Sequence, residues 1–180
     1  MTTAAGATNG SAMSIHGLRP AFLAMAIAAI GAATILGAYF FQYIVGLSPC
    51  PLCLEQRIPY YMAIAVAAAV AFVASNHAPV TLVRLGFALL ILILLVGAGL
   101  GVYHAGIEWK FWPGPAECSG QLPQLGGGMD LMKQIQTTSL VRCDEAAWRF
   151  LGLSLAGYNV LISLAMAAIA AFGLARAAAR

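Results

Sequence analysis

The sequence predicts an all-α integral membrane protein in which four spanning helices form a bundle. Two observations carry this prediction. Apolar residues make up 62% of the chain and charged residues 8%, whereas soluble domains have roughly 45–50% and about 25%. The apolar residues also form four runs long enough to cross a bilayer, at about 21–45, 53–75, 85–105 and 150–175.

Residues 1–18 precede the first run and are rich in Ala, Thr, Gly and Ser. Such a segment can bury little apolar surface, so we expect a disordered tail. It does not form the charged start of a secretory signal, and the run that follows is too long for a cleaved one. We therefore expect the first span to be retained. Residues 19–176 then form a single membrane domain.

The connections place two loops on one side of the bilayer, at 46–52 and 106–149, and a tight turn at 76–84 on the other. Glycine and alanine are frequent within the spans, and such small residues allow membrane helices to pack closely. Gln42 and Asn159 are the main polar side chains inside the spans. We interpret each as an interhelical hydrogen-bonding group or an interface residue rather than a catalytic group.

The first loop contains the pair Cys50-x-x-Cys53. The apolar run at 59–74 would extend only about 24 Å as a helix, less than the roughly 30 Å hydrocarbon core, so the spanning helix must begin nearer to Cys50. Pro51 suits the first helical position, which makes Cys50 the cap and places Cys53 in the first turn. A helix N-terminus lowers the pKa of a thiol, and Arg57 lies one turn further along the same face.

Cys50, Cys53 and Arg57 thus have the outline of a redox site. The alternative is a structural disulfide near the interface, with Arg57 as an anchor whose charged end reaches the bilayer surface.

The second loop contains Cys118 and Cys143. Aromatic residues at 109–112 are typical of an interfacial belt. Glycines at 126–128 form a flexible joint, and the apolar spacing at 129–135 predicts a short helix lying on the bilayer surface. A static disulfide between Cys118 and Cys143 would stabilise the fold by about 3 kcal/mol. A mobile pair could instead exchange with the first pair through mixed disulfides.

Two other uses of four cysteines fit the sequence less well. Zinc sites made only of cysteine typically use two C-x-x-C pairs, whereas Cys118 and Cys143 are 25 residues apart. A c-type haem requires histidine directly after the second cysteine, where this chain has Leu54. We predict no bound metal. The basic residues are scattered, which also argues against nucleic-acid binding.

The orientation of the protein in the membrane is predicted from the positions of the cysteines, since the distribution of positive charges does not decide it. Four Lys or Arg residues lie on the side of the termini and five on the cysteine side, too small a difference for the positive-inside rule. All four cysteines share one side, and disulfides persist outside the cytosol. We therefore expect both termini to be cytoplasmic.

These features together resemble the DsbB family of bacterial inner-membrane thiol:quinone oxidoreductases, over about residues 20–174. The layout of four cysteines over two loops is specific, which a lone C-x-x-C would not be. The residues that carry the resemblance are Phe41-Gln42, Cys50-x-x-Cys53 with Gln56-Arg57, Tyr103-His104, Trp112-Pro113 before Cys118, and Cys143 with Trp148-x-Phe-Leu-Gly152.

The resemblance implies a four-helix bundle that binds ubiquinone or menaquinone. Its implied partner is a periplasmic thioredoxin-fold oxidase, DsbA, which it reoxidises. By resemblance, the reduced partner attacks Cys118 of a Cys118–Cys143 disulfide, and the freed Cys143 attacks Cys50 of a Cys50–Cys53 disulfide. Cys53 then leaves as a thiolate and reduces the quinone. Arg57 and His104 are the expected quinone contacts, although an isolated histidine is also typical of an interface residue.

Two alternatives remain open at the level of sequence. A vitamin K epoxide reductase-like protein is also a membrane quinone reductase, but its corresponding cysteine pair lies near the last span. A non-enzymatic four-span protein with two structural disulfides would need no quinone. A quinone-reductase assay distinguishes the enzymes from the second alternative.

Overall fold

The computed structural model describes residues 15–76, 78–115 and 142–179, with side chains from Pro20 onward. Its long helices are α1 (Ile15–Tyr39), α3 (Arg57–Ser75), α4 (Val80–Glu108) and α5 (Leu155–Ala178). Shorter elements stand next to them: a π-helix (Phe40–Ile44), α2 (Pro51–Glu55), β1 (Arg149–Phe150) and β2 (Leu153–Ser154). The short helix expected at 129–135 lies outside the described residues.

Four segments are long and apolar enough to span a membrane, which confirms the all-α, four-span prediction. They are Pro20–Ile44, Pro51–Ser75, Val80–Glu108 and Leu155–Ala178. Each long helix packs on two others, so that α1 contacts α3 and α5, and α4 contacts the same two. The core between them is apolar, with Ile27, Phe87, Leu90 and Met166 fully buried.

Three boundaries differ from those the sequence predicted. Residues 15–18, expected in a disordered tail, form the start of α1. Helix α4 begins at Val80 rather than near residue 85, directly after Pro79. Helix α5 begins at Leu155 rather than residue 150, because β1 and β2 form a hairpin there and Ser154 Oγ accepts a hydrogen bond from Gly157 N, 3.2 Å away.

The second span is interrupted between α2 and α3. Proline at position 59 has no N–H to bond the carbonyl of Glu55, and its ring crowds that carbonyl, so the regular helix is interrupted one turn earlier. The interruption falls at Gln56. It allows α2 to carry the cysteine pair while α3 continues through the bundle.

Helix α4 ends in a Schellman motif. Lys110 has a positive φ of 63°, and the N–H groups of Lys110 and Phe111 bond the carbonyls of Ile107 and Gly106 at 3.0 and 2.9 Å. The chain then folds back, and the indole of Trp112 lies against Gly106, where a side chain would collide with it. The turn thus packs on the last turns of α4, whose Ile107 belongs to the same buried cluster as Cys50.

Candidate functional site

The cysteine pair caps α2 as the sequence predicted. Cys50 is the N-cap, Pro51 is the first helical residue, and the backbone N–H of Cys53 donates to Cys50 Sγ at 3.2 Å. Both cysteines are free thiols, with 2.6 Å between their sulfur atoms. The pair is therefore in position to open and close a disulfide, whose sulfur atoms are about 2.05 Å apart.

The two thiols are not equivalent. The hydrogen bond with the Cys53 sulfur raises the pKa of Cys50 well above its ordinary value, and burial raises it further. Cys50 is only 3% exposed and Cys53 is partly buried, and both line a cavity at this end of the bundle. The first turn of the helix, where Cys53 lies, favours negative charge on the Cys53 sulfur of the reduced pair.

His104 stands behind Cys50, with Nε2 3.7 Å from the Cys50 sulfur. The side-chain amide of Gln56 donates to His104 Nδ1 at 2.7 Å and to the Leu52 carbonyl at 3.2 Å. A carbonyl can only accept, so the amide nitrogen faces both groups and Nδ1 of the neutral ring is the acceptor. The ring proton is then on Nε2, facing the thiol.

A chain of hydrogen bonds extends from His104 across the bundle. Gln56 Oε1 accepts from Asn159 Nδ2 at 2.6 Å, and Asn159 Oδ1 accepts from the Tyr60 hydroxyl at 2.7 Å. The Tyr60 hydroxyl also lies 3.1 Å from Ser163 Oγ. The prediction of an interhelical hydrogen bond for Asn159 is confirmed, and the network fixes the orientation of the imidazole.

Arg57 is held by the first span. Its Nη1 donates to Gln42 Oε1 at 2.8 Å, and its guanidinium lies 5.2 Å from the centre of the Tyr39 ring. Gln42 belongs to the π-helix, whose wider turn presents it toward α3. The interhelical hydrogen bond predicted for Gln42 is therefore confirmed, and it fixes the position of the cation that the sequence assigned to the site.

Glu108 is a site residue that the sequence analysis missed. Its side chain is 5% exposed, and its Oε1 lies 3.9 Å from Nε2 of His104, one helical turn earlier. Its Oε2 has no hydrogen-bond partner among the described residues. An acid four residues after a histidine in an apolar helix was the available signal, because residues at that spacing share a face.

These side chains line one cavity of about 450 Å³. Its wall is mostly apolar and aromatic, and the polar groups gather near the cysteines. Its size and lining are typical of a small-molecule site, and an apolar ring with polar oxygens, such as a quinone, fits this donor set. The residues that line it include Phe41, Cys53, Arg57, His104, Glu108 and Trp148.

The sulfurs of Cys50 and Cys53 and a ring nitrogen of His104 also lie within 4.8 Å of one another. A metal ligand must present a bare nitrogen. Because Gln56 donates to Nδ1, the nitrogen that faces the sulfurs carries the proton instead. The arrangement is that of a hydrogen-bonded dithiol.

The second cysteine pair is described only in part, because Cys118 lies outside the described residues. Cys143 is disulfide-bonded and 1% exposed. It belongs to the same buried cluster as Cys50, Leu52 and Ile107. Asp144, the next residue, accepts hydrogen bonds at 2.8 Å from Lys110 Nζ and at 2.9 Å from Arg142 Nη2, so this segment is fixed to the end of α4.

A cysteine pair at the end of a membrane-spanning helix, next to an apolar cavity and to Cys143, defines a membrane thiol oxidoreductase. The family model for "Disulfide bond formation protein DsbB" matches residues 19–173. The chain belongs to the DsbB family. Family members are quinone-dependent enzymes that generate disulfides, oxidising DsbA and transferring the electrons to quinone, and this chain is such an enzyme.

Several curated proteins named disulfide bond formation protein B are similar to this chain. The one from Marinobacter nauticus is 32% identical over 69% of this chain and 73% of its own length. The one from Polaromonas sp. is 30% identical over 72% and 76%, and that from Methylococcus capsulatus is 32% identical over 76% and 83%. No solved structure matches the chain significantly.

Proposed function

We propose that electrons pass from the Cys118–Cys143 pair to the Cys50–Cys53 pair, and from Cys53 to a quinone in the cavity. One observation carries this assignment of roles. Cys50 and Cys53 both line the cavity beside Arg57 and His104, and Cys50 also belongs with Cys143 to a buried cluster against which Cys53 packs. The first pair thus lies next to both Cys143 and the cavity, as a relay between them requires.

The order of exchange begins with the partner thiolate, which attacks Cys118 and frees Cys143. Cys143 then attacks Cys50, and Cys53 leaves as a thiolate. The raised pKa of Cys50 supports this direction, since the anion of the pair is held at Cys53. A thiol stabilised as its anion is the better leaving group in disulfide exchange.

Arg57 and His104 would hold the quinone, either ubiquinone or menaquinone. When bound, the quinone accepts two electrons and two protons. The Arg57 guanidinium can donate to an oxygen on which negative charge grows, and it is already oriented by Gln42. His104 presents its Nε2–H to the thiol side of the cavity, and the aromatic wall excludes water from the reacting atoms.

The thiol partner that we propose is a periplasmic DsbA-like oxidase, with the protein in the bacterial inner membrane and both termini in the cytoplasm. Alkaline phosphatase fused after residue Gly120 should then be active, and fused after Arg180 inactive. The reverse pattern would contradict this orientation and the access of a periplasmic partner.

The relay is tested with purified protein in detergent, a reduced DsbA-like dithiol protein, and short-chain ubiquinone or menaquinone analogues. We expect one quinone reduced for every two partner thiols oxidised. The Cys53→Ser variant should lose quinone reduction, by about 10³-fold or more. A Cys53→Ser variant that reduces quinone at the native rate would overturn the role given to Cys53.

A further inference from the structure

Glu108 is the buried acid that the relay leaves without a role. Its side chain lines the cavity with Cys53 and Arg57 and is 5% exposed. Its Oε2 has no hydrogen-bond partner in the described part of the chain, whereas the Ser154 side chain hydrogen-bonds the carboxyl. His104 Nε2 lies 3.9 Å from Oε1, beyond hydrogen-bond distance. Leaving a buried carboxyl oxygen unsatisfied is costly, so a position of this kind calls for a functional explanation.

Several titratable or charged groups face this carboxyl or line the same cavity. Cys53 is the one whose charge changes during the reaction. Two negative charges in a poorly hydrated cavity repel strongly, so a Cys53 thiolate and a Glu108 carboxylate compete for one proton. The groups concerned are Cys50 and Cys53 from α2, Arg57 and Tyr60 from α3, His104 from α4, Arg142 and Glu145 from the loop, Arg149 from β1, and Tyr158 from α5.

We propose that Glu108 carries one of the two protons from the dithiol to the quinone; this inference rests on the function proposed above. When the pair is reduced, the proton of Cys53 passes to the Glu108 carboxylate, which leaves Cys53 as the thiolate. When the S–S bond forms again, two electrons pass from the dithiol to the quinone. Glu108 gives its proton to one quinone oxygen, and the proton of Cys50 ends on the other.

The cycle balances in charge and protons. The dithiol loses two electrons and two protons, the quinone gains both, and Glu108 returns to the carboxylate. His104 is a positioning residue in this scheme, because Gln56 occupies Nδ1 and keeps the proton on Nε2. The Nε2–H lies 3.7 Å from Cys50 Sγ and 3.9 Å from Glu108 Oε1, so neither ring nitrogen is free to act as a base.

Infrared difference spectroscopy tests the proton transfer without any quinone. The full chain is purified in detergent, depleted of quinone, and measured before and after reduction of its disulfides with dithiothreitol. We expect reduction to add the C=O absorption of one protonated carboxylic acid, with a shift in D₂O. The band should be absent in Glu108→Gln and present in the control Glu55→Gln, because Glu55 is exposed on α2 and does not line the cavity.

A native protein that gains no carboxylic-acid band on reduction would overturn the proposal, as would a band that persists in Glu108→Gln. The presence or absence of the band in the native protein tests the proposal even if Glu108→Gln fails to fold. It also separates this inference from the proposed function. Normal quinone reduction without the band removes only the role of Glu108, whereas a band without quinone reduction removes the quinone step.

Turnover gives a second readout in the holoenzyme. The Glu108→Gln variant should lower kcat by about 10²-fold, the usual contribution of a positioned acid or base, with little change in quinone KM. The part of the pH–rate profile that reflects ionisation of Glu108 should be missing from the profile of the variant. A variant with native kcat and a native pH profile would contradict the proposal.

Discussion

The two ends of the helical bundle are held together by different kinds of contact. In the half of the bundle away from the cysteines, apolar side chains such as Phe87 and Leu90 are fully buried against small residues of the neighbouring helices. Near the cysteines, the buried side chains include Gln56, His104 and Glu108. The stability of the apolar end depends on the volume of its side chains, and apolar side chains of similar volume can replace one another there. The cysteine end depends on particular donor and acceptor atoms, which cannot be exchanged without leaving a partner unsatisfied.

Of these predictions, the replacement of Arg57 at the cysteine end should have the largest effect on quinone reduction. Arg57→Ala removes the cation beside Cys53, so we expect kcat/KM for quinone to fall by about 10²-fold, or about 2.7 kcal/mol. Arg57→Lys should recover part of the loss, because it restores the charge without the planar fork. Arg84→Ala is the control, an exposed arginine at the opposite end. Unchanged quinone kinetics in Arg57→Ala would make Arg57 only a membrane anchor.

Creating a cavity at the apolar end should lower the free energy of unfolding and leave quinone reduction unchanged. Leu90→Ala deletes a fully buried side chain, and we expect a loss of about 2 kcal/mol in the free energy of unfolding, at the low end for such deletions because lipid is also apolar. Leu92→Ala, two residues along the same helix and 61% exposed, should cost far less. Denaturation in detergent measures both. A loss of quinone affinity in folded Leu90→Ala would show that the two ends are coupled.

The smallest effect should come from the surface ion pairs of the second loop. Lys110 and Arg142 hold the pKa of Asp144 well below its usual value of about 3.8. A lowered pKa means that the stabilisation is present above that value and is lost as the pH falls below it. We expect Asp144→Asn to lower Tm by about 2 °C above pH 5 and the difference to vanish in acid. A constant difference across pH would contradict the ionic origin.

The sequence predicted the elements that depend on composition and local spacing. The four spans followed from run length, and the cap at Cys50 followed from Pro51. The π-helix was not predicted, since a shift of backbone hydrogen bonds leaves no distinct residue pattern. The end of α4 was equally hidden, because its left-handed position holds Lys110 where glycine is the usual signal.

Residue spacing predicted the site only where its residues are close together in the chain, and His104 was named only through the family resemblance. Cys50, Cys53 and Arg57 share a few helical turns, so their spacing indicated a common site. Gln56 meets His104 from another helix, and Asn159 joins them from a third. Such contacts depend on helix packing, and no local pattern specifies them.

Direct exchange between the two cysteine pairs is the central step of the proposed relay. In Cys118→Ser, Cys143 has lost its expected partner, and its burial beside Cys50 favours attack on that sulfur. We predict a Cys50–Cys143 disulfide with Cys53 free, detected by non-reducing peptide mapping. The link should be absent from the Cys50→Ser, Cys118→Ser double variant. Mapping that finds only a Cys50–Cys53 disulfide and a free Cys143, with or without quinone, would contradict the relay and leave two independent structural disulfides.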